Sequence, residues 1–318
     1  MIDPVRPISI NDIEQAQGRI AGTVLRTPLV RLDLGDDRQI YLKLENLQPT
    51  NAYKIRGATN AVARLSDEER AKGVWTISAG NAGQGVAYAA RAFGIPSTVV
   101  AIETAPQTKL DRMRALGATI VPVSYDDAWV AAETHQFPGL ESTFVHPFDN
   151  HDFIAGHGTM GLEIIDDLPE VRTVIAAIGG GGLITGVGSA IKARRPDVRV
   201  LGAEPETAAP YALSLREGGA RKFADWQPSF VDGAGGKSVT ERMWQRMRPV
   251  TDGAITVTLD QTRDAMRLIA EKSRTIAEGA GALTLAAALT GEAGEGPIVC
   301  VVSGGNIDLG KFAELVTS

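Results

Sequence analysis

The chain has 318 residues, with 38 acidic against 32 basic side chains, a formal net charge of −6 and one cysteine. That acidic balance, with no basic stripe, argues against a nucleic-acid partner, and a lone cysteine excludes a disulfide framework within the chain. The length suffices for a substantial core spread over about two domains.

In chain order, the opening Met1-Ile2-Asp3-Pro4-Val5-Arg6-Pro7 lacks a basic region followed by an apolar one, so no secretory signal is expected and the cytoplasm is the default location. Short apolar runs predict strands over 40–44, 74–77, 98–102, 119–123, 173–178, 198–203, 255–257 and 298–302. Between them, patterns of helical period predict helices over 55–65, 85–93, 108–116, 183–191 and 262–273. That alternation is the signature of an α/β protein whose mostly parallel sheets are covered by helices. Residues 173–191 carry no charge and are long enough to raise the question of a membrane span. Six of those positions are glycine, clustered in the middle, so the segment reads as core strand, loop and helix, and no membrane partner is expected. Cys300 lies inside an apolar run and reads as a buried hydrophobe.

In open sheets of this kind ligands gather beyond the carboxyl ends of the strands, and three polar turns follow apolar runs there. The first holds Asn51-Ala52-Tyr53-Lys54-Ile55-Arg56-Gly57-Ala58. On spacing alone Lys54 reads as a surface lysine, but its place just ahead of a predicted helix exposes it to the positive end of the helix dipole, which disfavours the ammonium form. An amine that sheds its proton is a better nucleophile for an aldehyde. The second turn, Gly179-Gly180-Gly181-Gly182, joins a buried strand to a helix opening at Leu183. Unhindered N–H groups at a helix start cradle an anion, and four consecutive glycines are costly in unfolded-state entropy unless the backbone must approach something. The third is Ser303-Gly304-Gly305-Asn306. A lysine, a phosphate cradle and a neutral hydroxyl are together what pyridoxal 5'-phosphate requires.

On these residues the chain resembles the threonine dehydratase and serine racemase branch of the fold-type II pyridoxal phosphate enzymes, within the tryptophan synthase β-like superfamily, over nearly its whole length. The family's Ser-Phe-Lys-x-Arg-Gly-Ala matches Ala52 to Ala58, its substrate loop matches Ser78-Ala79-Gly80-Asn81-Ala82-Gly83-Gln84-Gly85, its phosphate loop Gly179 to Gly182, and its pyridine-nitrogen serine Ser303. His146-Pro147-Phe148-Asp149 and Ile154-Ala155-Gly156-His157-Gly158-Thr159 also resemble it while carrying less chemistry. The resemblance implies a small mobile lobe at about 70–147 inserted into a large lobe formed by 1–69 and 148–318, each lobe built on a mostly parallel twisted sheet, and it implies a homodimer. It implies that Lys54 holds the cofactor covalently and then removes the substrate's α proton, with Tyr53 packed beside the ring. Asn81 would donate to the cofactor's phenolic oxygen, and Ser78, Ala79, Gly80, Asn81 and Ala82 would receive the substrate carboxylate. Asp232 matches an Asp-Gly near the substrate hydroxyl.

A neutral Ser303 at the pyridine nitrogen makes the ring a weaker electron sink than an aspartate would, which favours loss of a β leaving group over transamination. The implied reaction is β-elimination of a β-hydroxy amino acid, threonine or serine first, to a 2-oxo acid and ammonia. Racemase members carry a serine where Ala79 stands, and alanine cannot carry a proton. Beta replacement is the other enzymatic alternative, but those enzymes typically continue Lys-Asp-Arg where this chain has Lys54-Ile55-Arg56. A catalytically silent protein binding the cofactor or an amino acid is the alternative from another class. Ala82 and Ala52 depart from the family's histidine and serine, leaving the exact substrate open. A divalent cation site in the racemase branch uses a glutamate matching Glu204 and an aspartate where Pro210 stands, so Glu204 is either a metal ligand or a helix-capping acid. Gly233-Ala234-Gly235-Gly236-Lys237-Ser238 sounds like a nucleotide loop, but Val231 occupies the required glycine position. Gly-x-Ser-x-Gly is absent, which removes the easiest route to a serine hydrolase. The chain closes soon after Ser303, leaving no room for a C-terminal regulatory domain.

Overall fold

The computed structural model describes residues 4–105 and 107–317; Met1, Ile2 and Asp3, which open the segment read above for a signal sequence, lie outside the described residues. Ten strands are described: β1 (Leu29–Arg31), β2 (Ile40–Leu44), β3 (Val74–Ile77), β4 (Ser97–Ile102), β5 (Thr119–Val123), β6 (Thr143–Phe144), β7 (Thr173–Ala177), β8 (Arg199–Pro205), β9 (Gly253–Val257) and β10 (Ile298–Val302). They form a six-stranded sheet ordered β1-β2-β10-β7-β8-β9 and a four-stranded sheet ordered β5-β4-β3-β6. Every pairing is parallel except the edge pair of β1 with β2.

The central strands of the larger sheet are apolar on both faces because both are covered. Along β10, Ile298, Cys300 and Val302 pack into one buried cluster while Val299 and Val301 pack into another on the opposite face. Neighbouring β7 divides in the same way, Ile175 and Ala177 against Val174 and Ala176. This period-two split of an unbroken apolar run is what a doubly covered parallel strand requires. Cys300 is fully buried, as its setting suggested, and burial pushes its thiol well up from the ordinary range. No helix among the described residues is long and apolar enough to cross a membrane, and the uncharged 173–191 stretch divides into β7, the glycine turn and the helix Gly182–Arg194.

The helices start earlier than the apolar periodicity indicates, because their first turns carry polar or small residues that the apolar pattern does not register. The helix predicted from 262 begins at Leu259 behind a Thr258 and Gln261 capping box, and the one predicted from 85 begins at Asn81. Half of the expected substrate loop is therefore the first turn of the helix Asn81–Ala92. Gly156, Gly158 and Gly161 have dinucleotide-fingerprint spacing, but they lie within the helix His151–Asp167 and serve its packing. A Cβ at Gly156 would stand 2.5 Å from the Arg56 carbonyl oxygen, and one at Gly161 2.9 Å from that of Val187. Gly57 answers from the facing helix Lys54–Ala63, where a Cβ would meet the Phe153 carbonyl oxygen at 2.5 Å.

Arg56, in the first turn of the helix Lys54–Ala63, is fully buried and forks between two carboxylates. Its Nε and Nη2 donate to the two oxygens of Glu45, both at 2.8 Å, and its Nη1 and Nη2 donate to those of Glu163 at 2.7 and 2.8 Å. Lys43, also fully buried, completes the group at 2.6 Å from Glu163. Burial works to raise the Glu45 carboxyl, yet the Arg56 guanidinium outweighs it and holds the group below the usual carboxylate range. Truncating one member of such a set strands its buried partners. Replacing Arg56 with Met is expected to cost about 3–5 kcal/mol of stability, read as a lowered denaturant midpoint; a loss under about 1 kcal/mol would contradict this account of the network.

Candidate active site

Strands β2, β10 and β7 are adjacent and parallel, so the turns leaving their carboxyl ends meet on one edge of the sheet. The lysine segment is tied to the serine segment by main-chain atoms. The Tyr53 N–H donates to the Ser303 carbonyl at 3.0 Å, the Gly305 N–H donates to the Asn51 carbonyl at 2.9 Å, and Ala52 and Gly304 form an isolated antiparallel bridge between them. Ala52 is fully buried in that bridge. Its contribution is backbone, which accounts for alanine serving where the family has serine.

The result is a small cavity lined by Tyr53, Lys54, Gly179 to Leu183, Gly233 and Ser303, with Phe148 and Ala177. Gly181 has φ +87° and caps the helix Gly182–Arg194 with no side-chain hydrogen bond, so no side chain competes for the helix's leading N–H groups. A Cβ at Gly180 would lie 2.3 Å from the Phe148 ring, and one at Gly181 2.4 Å from the Met247 sulfur. At these two positions glycine is required because a Cβ would collide with the side chains packed against the turn. Ser303 is buried at the end of β10. An uncapped helix start, a bare backbone turn, a buried hydroxyl and a lysine amine in one cavity fit the phosphate, pyridine nitrogen and aldehyde of pyridoxal phosphate.

The Lys54 side chain opens onto this cavity rather than onto bulk water, and its Nζ donates to the Pro147 carbonyl at 2.6 Å. The Tyr53 and Phe153 rings lie 5.2 and 5.4 Å from the amine. These contacts are open to a neutral amine as well, and loss of hydration lowers its pKa to about 7. The fully buried His157 packs edge-on against Tyr53, ring centroids 4.6 Å apart, and burial keeps it neutral. His146 accepts the N–H groups of Phe148 and Asp149 through Nδ1, at 3.2 and 2.9 Å, and so shapes the turn that presents the Pro147 carbonyl. The His146 to Asp149 stretch, which sequence reasoning left with little chemistry, thus supplies both the Lys54 acceptor and a cavity wall.

From the four-stranded sheet, Ser78, Ala79 and Gly80 follow β3, and Asn81 and Ala82 open the helix Asn81–Ala92. The Ser78 hydroxyl accepts the Gly80 N–H at 3.1 Å. This helix comes so close to the lysine that a Cβ at Gly85 would be 3.1 Å from the Lys54 carbonyl carbon. Asn81 is held from both sides: its amide nitrogen donates to Glu278 at 2.7 Å, and its oxygen accepts from Asn306 at 2.8 Å. Arg112 donates in turn to the Asn306 side-chain oxygen at 3.0 Å. Glu278, not anticipated from sequence, is the N-cap residue of the buried helix Gly279–Leu289, yet its carboxylate makes no capping bond and turns to Asn81 instead. Burial, chiefly, raises it to about 7. Its only sequence signal is an acid directly before a run of small residues.

Two expected residues stand elsewhere. The Asp232 carboxylate does not line the lysine cavity; it is exposed and ion-paired to Lys109 at 2.6 Å, while its neighbour Gly233 lines the cavity. Asp232 is placed by a contact between the two sheets' halves, which sequence adjacency to Gly233 could not reveal. Glu204 is buried and accepts the Tyr211 and Ala212 N–H groups at 2.9 and 2.8 Å, at the start of the helix Pro210–Glu217. These two bonds are those of a helix cap, one of the two roles open to it. Among the described residues no group of three or more His, Cys, Asp or Glu could hold a metal ion.

The lowered Lys54 pKa has a testable sign. Between about pH 7 and the ordinary 10.5 the native amine is neutral while the unfolded one keeps its proton, so this group's contribution to stability rises with pH across that window. The neutral amine is also the reactive one. Addition of pyridoxal phosphate to the apoprotein, trapped with borohydride and mapped by peptide mass, is expected to rise with a midpoint near pH 7 at Lys54; a midpoint near 10 would remove desolvation as the activating cause.

The family model Pyridoxal-phosphate dependent enzyme matches residues 20–304. The chain is 40% identical over 315 residues to an L-threonine ammonia-lyase of Thermotoga maritima, covering 97% of this chain and 78% of that one. It is 36% identical over 321 residues to a catabolic L-threonine dehydratase of Staphylococcus aureus, covering 97% and 92%. The solved structure of maize serine racemase matches with a TM-score of 0.90 at 34% identity over 97% of each chain. With an α/β fold of two mostly parallel sheets and a lysine facing a glycine cradle, the chain belongs to the pyridoxal-phosphate dependent enzyme family.

Proposed function

We propose that the protein is an ammonia-lyase that dehydrates a β-hydroxy amino acid, L-threonine or L-serine first, to a 2-oxo acid and ammonia. The observation that carries this reading is the convergence of Lys54, the glycine cradle and a neutral Ser303 on one cavity. Relatives named for activity on L-threonine, at 40% and 36% identity over nearly the whole chain, support it. When bound, the cofactor's conjugated ring draws electrons from the substrate's α carbon and acidifies its proton.

This chain's residues supply the rest. The Lys54 amine, neutral near pH 7, holds the cofactor aldehyde, gives way to the substrate amine and then accepts the α proton. Gly179 to Gly182, with the N–H groups leading to Leu183, hold the phosphate. The Ser303 hydroxyl faces the pyridine nitrogen without charging it, and Tyr53 walls the ring. One Asn81 amide hydrogen is committed to Glu278, which leaves the other for the phenolic oxygen. Ser78, Ala79, Gly80 and Ala82 form the carboxylate-binding turn; Asp232 belongs to the lobe contact rather than to the reacting atoms. Ala79 packs into a small apolar cluster and has no proton to move, so racemisation is the lesser activity.

In this reading the segment 70–147, which holds the four-stranded sheet, moves as a lobe. Its contacts with the rest include Asn81 with Glu278 and Asn306, Arg112 with Asn306, and Lys109 with Asp232. These are polar and easily reformed, and closing them over a substrate excludes water. A homodimer in the cytoplasm completes the reading.

Holoenzyme incubated with L-threonine or L-serine is expected to yield oxo acid and ammonia in equal amounts, and Lys54→Ala to lower turnover by roughly 10²–10⁴-fold or more. Absence of turnover with any hydroxy amino acid would overturn the proposal. Asn81→Ala, which takes from Glu278 its side-chain donor and removes a donor to the cofactor, is expected to weaken cofactor binding about tenfold or more, measured by dialysis against the visible absorbance.

A further inference from the structure

A second cavity, of about 820 Å³, adjoins the lysine cavity. Phe148, Gly179 and Gly180 line both, so the glycine cradle is their common boundary. Its volume falls in the range of sites that enclose a whole organic ligand. A β carbon bearing one hydrogen or one methyl leaves almost all of that space empty.

The walls are mainly apolar: Trp129, Phe148, Trp226, Val239, Met243 and Met247. They come from both halves of the molecule, Trp129 from the helix Tyr125–Thr134 and the others from the chain around the larger sheet. Tyr125 and Trp129, both lining the cavity, are 53% and 45% exposed. Lys237 bridges the two sides, its Nζ 4.6 Å from the Trp226 ring centroid and 5.0 Å from that of Tyr125. Its charge is thus already engaged by two aromatic faces, and of the two other charged residues lining the cavity, Asp126 offsets Lys222.

Resting on the ammonia-lyase reading, we propose that this cavity receives the β substituent of the substrate and that the preferred substrates are β-hydroxy amino acids carrying a large aryl group there, of the 3-phenylserine type. Pyridoxal phosphate bears its aldehyde and its phosphate arm on adjacent ring carbons, so an amino acid joined at the aldehyde lies beside the glycine cradle. With the carboxylate taken by the Ser78 turn, the remaining substituent faces the cradle and the space beyond it. The chemistry is the same elimination: the α proton passes to Lys54, the Cβ–O bond breaks with loss of water, and hydrolysis releases ammonia and an aryl pyruvate. Atoms balance with no added oxidant or reductant. An aryl group on Trp129, Trp226 and Phe148 gains stacking as well as burial.

The test compares holoenzyme kcat/KM for threo-3-phenylserine, threonine, serine and threo-3-hydroxyaspartate, with oxo acid as product. At least a tenfold preference for phenylserine over serine is expected, and Trp129→Ala is expected to lower the phenylserine-to-threonine ratio at least fivefold. Threonine or serine turned over while phenylserine is not, or hydroxyaspartate preferred, overturns this inference and leaves the ammonia-lyase reading standing. If no hydroxy amino acid reacts, that reading fails and the cavity is judged by binding alone. L-phenylalanine must then perturb the emission of Trp129 and Trp226 at concentrations at least tenfold below L-alanine; equal concentrations sink the proposal.

Discussion

The site depends on an uneven distribution of carboxylates around one helix. Lys54 and Arg56 stand two residues apart in the helix Lys54–Ala63, both withdrawn from bulk water. Arg56 is given Glu45 and Glu163 and keeps its charge at every accessible pH. Lys54 is given a carbonyl, two aromatic rings and a neutral histidine, and burial alone sets its proton affinity. Had either acid reached the lysine, the amine would have remained an ammonium ion and the cavity would hold a spectator cation. Satisfying the neighbour completely is what leaves the nucleophile unsatisfied.

Around that lysine the molecule divides its work between main chain and side chain. The bridge of Ala52 with Gly304, the bare Gly179 to Gly182 turn and the uncapped helix start are backbone devices. They position groups with little dependence on rotamers. Side chains handle what must change during turnover: the Arg112, Asn306, Asn81 and Glu278 series crosses from one sheet's half to the other's and fixes the Asn81 amide only when the halves are together. In the proposed function, lobe closure and cofactor recognition would share the same hydrogen bonds.

Much of this was legible in the sequence because its causes are local. Strands β7 and β10 announce themselves as unbroken apolar runs since both faces are covered, and the glycine turn is conspicuous because a bare backbone is rare. Lys54 and Ser303 stand out through the motifs that hold them. What stayed hidden acts at long range: Glu278 meets Asn81 across 197 residues of chain, and Asn306 meets it across 225. An acid before a small-residue helix reads as a cap, and only the fold shows its carboxylate turned the other way. For Asp232 the hidden partner is Lys109, to which its side chain is ion-paired while its neighbour Gly233 lines the cavity. Glu204 was readable as one of two things, and its bonds to the Tyr211 and Ala212 amides match the cap.

Gly180, one of two glycines shared by the two cavities, has a bearing on how such a protein diversifies. Gly180 cannot gain a side chain without striking Phe148, so the boundary between the chemical centre and the space behind it is frozen. Other lining positions, such as Trp129 and Val130, are exposed. Variation there can drift without disturbing bond-breaking, and a lineage can therefore trade one diet for another by repainting a surface helix.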